Sequence, residues 1–173
     1  LGTYAFSDCV SLKTDPLVFP EGFERFGNLV FMNCRSLTGT IVLPSTIKEI
    51  GDGVFFMSKI SSINLPDGLE KIGDAAFYAC RLKEVWIPNS CQTIAGTNTF
   101  QQNYPLKNIH LPEGLGRIPC CFANDCWDLQ EVNIPSTVKS IDRAAFEQCK
   151  SLKKINLPNG LETIEREAFY HCI

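Results

Sequence analysis

Ser151-Leu152-Lys153-Lys154-Ile155-Asn156-Leu157-Pro158-Asn159-Gly160-Leu161-Glu162-Thr163-Ile164, followed by Ala168-Phe169-Tyr170-His171-Cys172, is the stretch that decides the fold. Positions 60–80 spell nearly the same thing, from Ile60 through Ile63-Asn64-Leu65-Pro66 to Ala76-Phe77 and Cys80. Working outward, Pro20, Pro44, Pro66, Pro88, Pro112, Pro135 and Pro158 recur at nearly constant intervals along the chain. A phenylalanine follows each proline at a similar distance: Phe31, Phe55, Phe77, Phe100, Phe122, Phe146 and Phe169, with Phe6 in the same series. Self-similarity at such a period marks stacked units, none of which can bury its apolar side alone.

Each unit reads L-x-x-I-x-L-P-x-x-L-x-x-I-x-x-x-A-F-x-x-C. The I-x-L step alternates with period two, as a short half-buried strand does. Proline has no N–H for a ladder and ends that strand. The x-x-L-x-x-I segment then turns the chain, helped by Gly68, Gly114 and Gly160. The A-F-x-x-C segment is expected to return across the back as a short helical or 3₁₀ turn. The expected architecture is an α/β-type solenoid of about seven repeats, each of roughly 22–24 residues. A parallel sheet would form one face and the helical turns the other, in a single domain spanning positions 1–173. The chain starts inside one unit and stops inside another, so a longer parent protein is expected. Positions 89–104 fit the unit loosely, with Asn98, Gln101, Gln102 and Asn103, and are expected to form a bulge or a flexible stretch.

Composition narrows the function. Of the 173 residues, 45% are apolar and 20% charged, and the net charge is −3, which excludes a disordered chain. No run approaches about 20 apolar residues, so direct membrane insertion is not expected. There is no basic block, and a pI near 5.4 argues against nucleic acid as the main partner. Nucleophile-elbow, zinc-protease, P-loop and dinucleotide fingerprints are missing. Glu84 and Glu131, two units apart, would sit roughly 10 Å from each other, slightly beyond a glycosidase carboxylate pair. The reading is a non-enzyme without cofactor.

The nine cysteines raise a separate question. Cys9, Cys34, Cys80, Cys149 and Cys172 fall three places after the repeat phenylalanine, and Cys126 falls one place late. Ser58, Asn103 and Asp125 occupy that column in other units. Cys91 replaces the leucine of P-x-x-L, and Cys121 replaces the alanine before Phe122. Eight of the nine thus have core addresses, Cys120 being the exception, and are expected to be buried reduced thiols. Cys149 and Cys172, on adjacent rungs, are within reach of a bridge, but parallel side chains of one column disfavour it. No C-x-x-C pairs complete a zinc site, so no metal is expected.

The x between I and L points outward from the sheet. That column reads Val18, Val42, Asn64, Trp86, His110, Asn133, Asn156. Two places earlier runs a second outward column: Thr40, Ser62, Glu84, Asn108, Glu131, Lys154. A solenoid presents such columns as an extended recognition surface. Trp86 beside His110 is the candidate anchor, since exposed tryptophan is enriched at binding hot spots. Glu84, Asn108, Asn64 and Asn133 complete the candidate binding set. The asparagines Asn64, Asn133 and Asn156 serve equally well as a structural hydrogen-bond ladder.

The recurrent steps carry a resemblance. Leu43-Pro44, Leu65-Pro66, Leu111-Pro112 and Leu157-Pro158, with Ala5 to Cys9, Ala76 to Cys80, Ala145 to Cys149 and Ala168 to Cys172, resemble the BspA-like (Treponema-type) leucine-rich repeats. The resemblance covers nearly the whole chain, positions 10–16 being the least regular. It implies a cell-surface or extracellular protein that engages a protein or glycan, host-derived in some cases, through its strand face. It brings no catalytic residues. Two roles remain open at this point: an adhesion or protein-binding module, and a structural spacer that holds another domain away from the surface.

Overall fold

The computed structural model describes residues 1–172. Seven front strands delimit six turns of a parallel solenoid: β1 (Leu17–Val18), β2 (Thr40–Val42), β4 (Ser62–Asn64), β6 (Glu84–Trp86), β8 (Asn108–His110), β10 (Glu131–Asn133) and β12 (Lys154–Asn156). Registers follow the repeat, for example Ile41 opposite Ile63 and Val132 opposite Ile155. The middle residue of each front strand from β2 to β10 is buried: Ile41, Ile63, Val85, Ile109 and Val132. The front ladder runs β1-β2-β4 and then β6-β8-β10-β12, interrupted between β4 and β6.

The x-x-L-x-x-I segment is more than a turn. The leucine position folds back first, Leu69 N–H donating to Pro66 C=O at 2.9 Å and Leu161 to Pro158 at 3.1 Å. Two residues of each segment then form a second strand: β3 (Glu49–Ile50), β5 (Lys71–Ile72), β7 (Thr93–Ile94), β9 (Arg117–Ile118), β11 (Ser140–Ile141) and β13 (Thr163–Ile164). These too pair in parallel, as β3-β5-β7 and β9-β11-β13. Approach between rungs is close here. A Cβ on Gly73 would lie 2.6 Å from the Gly51 backbone and 2.5 Å from Asp52 Oδ1.

The back of the solenoid corrects the helical expectation: among the described residues there is no helix. Each A-F-x-x-C segment carries two left-handed residues four apart, among them Leu29 and Asn33, Ala75 and Ala79, and Ala144 and Gln148. A right-handed helix cannot continue through such residues. Alternate N–H groups donate forward to the next rung instead. Leu29 bonds to Asp52 at 2.7 Å, Phe31 to Val54 at 2.8 Å and Asn33 to Phe56 at 2.8 Å. Rung-to-rung pairing thus satisfies the backbone on the back as well as the front.

The phenylalanines stack through the interior. Phe6, Phe31, Phe55, Phe77 and Phe100 follow one another at 5.2–5.8 Å with rings within 4–9° of parallel. Phe122 breaks the series, standing edge-on to both Phe100 and Phe146 at 80° and 76°. The cause is a swap in register. Ala123, whose N–H donates to Ala145 C=O, takes the phenylalanine column, and Phe122 takes the alanine column.

The same register revises the cysteine placement. Cys126 belongs in the column, and Asp125 does not: Asp125 is a left-handed turn residue. Cys121, left-handed and half-exposed, is likewise a turn residue and has no core address. Five thiols are buried, those of Cys34, Cys80, Cys91, Cys126 and Cys149; Cys9, in the first rung, is exposed, and Cys172, in the last, is half-exposed. All nine cysteines are free.

The column is a row of donors rather than of small hydrophobes. Each cysteine of the column after Cys9 reaches a main-chain carbonyl of the preceding rung: Cys34 to Phe6, Cys80 to Phe55, Cys126 to Phe100, Cys149 to Ala123, and Cys172 to Phe146. Ser58 does the same to Phe31 at 2.6 Å, and Asn103 to Phe77 at 2.7 Å. The two apparent departures from the repeat therefore keep its function. Asn103 is buried and fully partnered, since its Oδ1 also accepts from Leu82 N–H.

Candidate functional site

On the front face, β6 and β8 pair with Trp86 opposite His110 and Glu84 opposite Asn108. The period-two strand buries Val85 and Ile109 and turns these four residues outward. The Trp86 and His110 rings lie flat on each other, 3.3 Å between centroids and 9° from parallel. Trp86 nevertheless keeps 62% of its surface exposed, the largest value among the exposed apolar side chains. Glu84 Oε1 lies 3.2 Å from His110 Nε2 and fixes the ring from its edge. A shallow depression beside the stack is lined by Leu65, Asp67, Pro88, Asn89, Trp86 and His110.

The other two candidates stand apart. Asn64 lies across the interruption between β4 and β6, and both ends of its amide are tied to the Leu43 backbone, at 2.7 and 3.1 Å. Its visible role is to close the rung below it. Asn133 accepts from Asn156 Nδ2 at 3.1 Å, one step of the asparagine ladder. In the second column Asn108 lies between Glu84 and Glu131, and Glu131 is paired with Lys154 at 2.8 Å. Among the described residues no three His, Cys, Asp or Glu side chains converge as metal ligands would.

The repeat pattern masks a second aromatic group. Tyr104 and Trp127, each just after the donor column, contact at 4.5 Å, and Lys150 Nζ sits 4.2 Å over the Trp127 ring. A signal for it exists in the sequence, because the three directly follow Asn103, Cys126 and Cys149.

Short parallel strands, inward phenylalanines and a flat exposed front define the class: a leucine-rich-repeat solenoid. The chain belongs to the BspA-type leucine-rich repeat family, whose six-copy model matches residues 24–124 and 119–173. No curated protein sequence matches it. Among solved structures, a leucine-rich repeat protein from Bacteroides ovatus is 28% identical, with a TM-score of 0.84 over 93% of this chain and 41% of that one. The leucine-rich repeat protein of T. pallidum is 29% identical, with a TM-score of 0.62 over 92% and 63%. A leucine-rich cell-surface protein from Faecalibacterium prausnitzii shares the fold at 19% identity, with a TM-score of 0.54 over 99% and 66%. The chain thus spans about two-fifths of the Bacteroides ovatus protein.

Proposed function

We propose that the chain is a non-enzymatic binding module of a cell-surface or secreted protein, which grips a protein partner with its front face. The observation that carries this reading is the Trp86–His110 stack. It is a broad aromatic surface, rigidly held on paired strands and left open to solvent. Aromatic anchors of this kind supply contact area at little entropic cost and dominate interface energies. Glu84 and Asn108 rim the anchor with an acceptor and an amide, giving orientation to a contact that stacking alone leaves loose.

Localisation at the cell surface is supported by the family and by the description of the Faecalibacterium prausnitzii relative as a cell-surface protein. The test is a binding screen of the domain against host matrix proteins. A partner held at micromolar concentration or tighter supports the module. The spacer reading expects no such partner and a functional domain elsewhere in the parent chain.

A further inference from the structure

Seven segments link the donor column to the front strands: 10–16, 35–39, 59–61, 81–83, 104–107, 127–130 and 150–153. Together they form one edge of the solenoid. They hold eight of the sixteen Lys and Arg residues but only two of the nineteen Asp and Glu residues. The edge is therefore six charges positive, in a chain whose net charge is −3. One of its two acids, Asp15, is engaged with the Thr40 backbone N–H.

The backbone holds these cations at the rung repeat. Lys59 N–H donates to Leu37 C=O at 3.1 Å, Arg81 to Ile60 at 3.0 Å, Lys107 to Lys83 at 2.9 Å and Lys153 to Gln130 at 3.0 Å. Among the described residues every ion pair lies elsewhere, on Lys48, Lys71, His110, Arg117, Lys139 and Lys154. The edge cations are thus lined up and left without acidic partners.

Segment length shapes the edge. The segments 59–61 and 81–83 are shorter than their neighbours 35–39 and 104–107. The short pair leaves a trough walled by Thr38 and Pro105 and lined by Lys59, Ser61, Arg81 and Lys83. A second depression, with Lys13, Arg35 and Ser36, adjoins it and shares Thr38.

We propose that this trough binds a linear anionic polysaccharide, sulfated or uronate-bearing, along the solenoid edge. Two short rows of cations, Arg35, Lys59 and Arg81 just after the donor column and Lys83 and Lys107 just before the front strands, match one extended polyanion lying between them. The interleaved hydroxyls of Ser36, Thr38 and Ser61 match a hydroxyl-rich chain. Nucleic acid fits less well, because the residues lining the trough include no aromatic side chain on which a base could stack. The negative charge on the rest of the chain also repels a wrapping duplex. A bilayer surface is too flat to enter a recess between longer loops. This site is separate from the front face around Trp86 and stands or falls independently of it.

The test measures affinity for a heparin oligosaccharide, single-stranded DNA of equal charge and anionic phospholipid vesicles, at about 50 and 150 mM NaCl. The variant Lys59→Ala/Arg81→Ala/Lys83→Ala is compared with Lys48→Ala/Lys139→Ala/Lys154→Ala, which removes the same charge elsewhere. Lys83→Gln alone serves as a milder second variant, and circular dichroism checks the fold of each. The expected result is heparin binding by the wild type, weakened at least about tenfold in the trough variant and less than about twofold in the control. Trp86→Ala/His110→Ala should leave it unchanged. The proposal is overturned if heparin is not bound at low salt, if both triple variants lose affinity equally, or if DNA or vesicles bind more tightly than heparin.

Discussion

Thr99 takes the place that Ala76, Ala145 and Ala168 hold in other rungs, and its buried hydroxyl has no hydrogen-bond partner. A buried polar group left unmatched costs about 1–3 kcal/mol. Thr99→Val keeps the shape and removes the hydroxyl. It should raise the unfolding free energy by about 1 kcal/mol in urea titrations. A loss of stability would mean that the hydroxyl has a role. Ser58 tests the donor column. Ser58→Ala should cost about 1 kcal/mol by removing the bond to Phe31, while Ser58→Cys, which keeps a donor, should cost less. The column was legible in the sequence as a position but not as a chemistry. Cysteine reads as a small hydrophobe, and only its replacement by Ser58 and Asn103 betrays the shared hydrogen donor.

At the scale of the element, the stacked phenylalanines carry the interior. Phe77 lies between Phe55 and Phe100 at 5.8 and 5.2 Å and is fully buried. Phe77→Ala should cost about 3–5 kcal/mol by calorimetry or denaturant titration. The damage should reach the flanking rungs, read as faster amide exchange around Phe55 and Phe100. A silent substitution would refute the column. The front strands and their registers were legible because period-two patterning is local. The back was not. Helical and rung-paired versions of A-F-x-x-C use the same residues, and what separates them is a forward hydrogen bond to the next rung, a full repeat away in sequence. The register swap at Phe122 left one trace: Phe122 follows Pro112 one place sooner than Phe77 follows Pro66.

At the scale of the whole molecule, the buried thiols make stability depend on pH. Burial pushes Cys91 from 9.0 up to about 11, and Cys80 and Cys126 are raised still further by the same cause. In the unfolded chain these thiols ionise near their ordinary value, while the folded protein keeps them protonated. The folded state therefore binds more protons above about pH 9, and stability falls as pH rises. The contribution is full below that value and is lost by Cys91 as pH rises towards 11. Each such thiol removes about 1.4 kcal/mol per pH unit in that window. The melting temperature should accordingly drop between about pH 9 and 11. A flat profile would contradict the burial of these thiols.

The front face belongs to the same scale, because it is assembled across rungs. Trp86, His110, Glu84 and Asn108 were legible as a cluster, since strand pairing fixes which outward positions are neighbours. The bonds of Asn64 to Leu43 were not legible, because the interruption of the ladder is set by packing across rungs. On this reading the Trp86–His110 stack is the gripping surface. Its most direct test is the affinity of Trp86→Ala/His110→Ala for a matrix protein bound by the wild-type domain, with the fold checked by circular dichroism. A loss of at least about tenfold is expected, the scale of a truncated interface anchor. Unchanged affinity in a folded variant would contradict the claim.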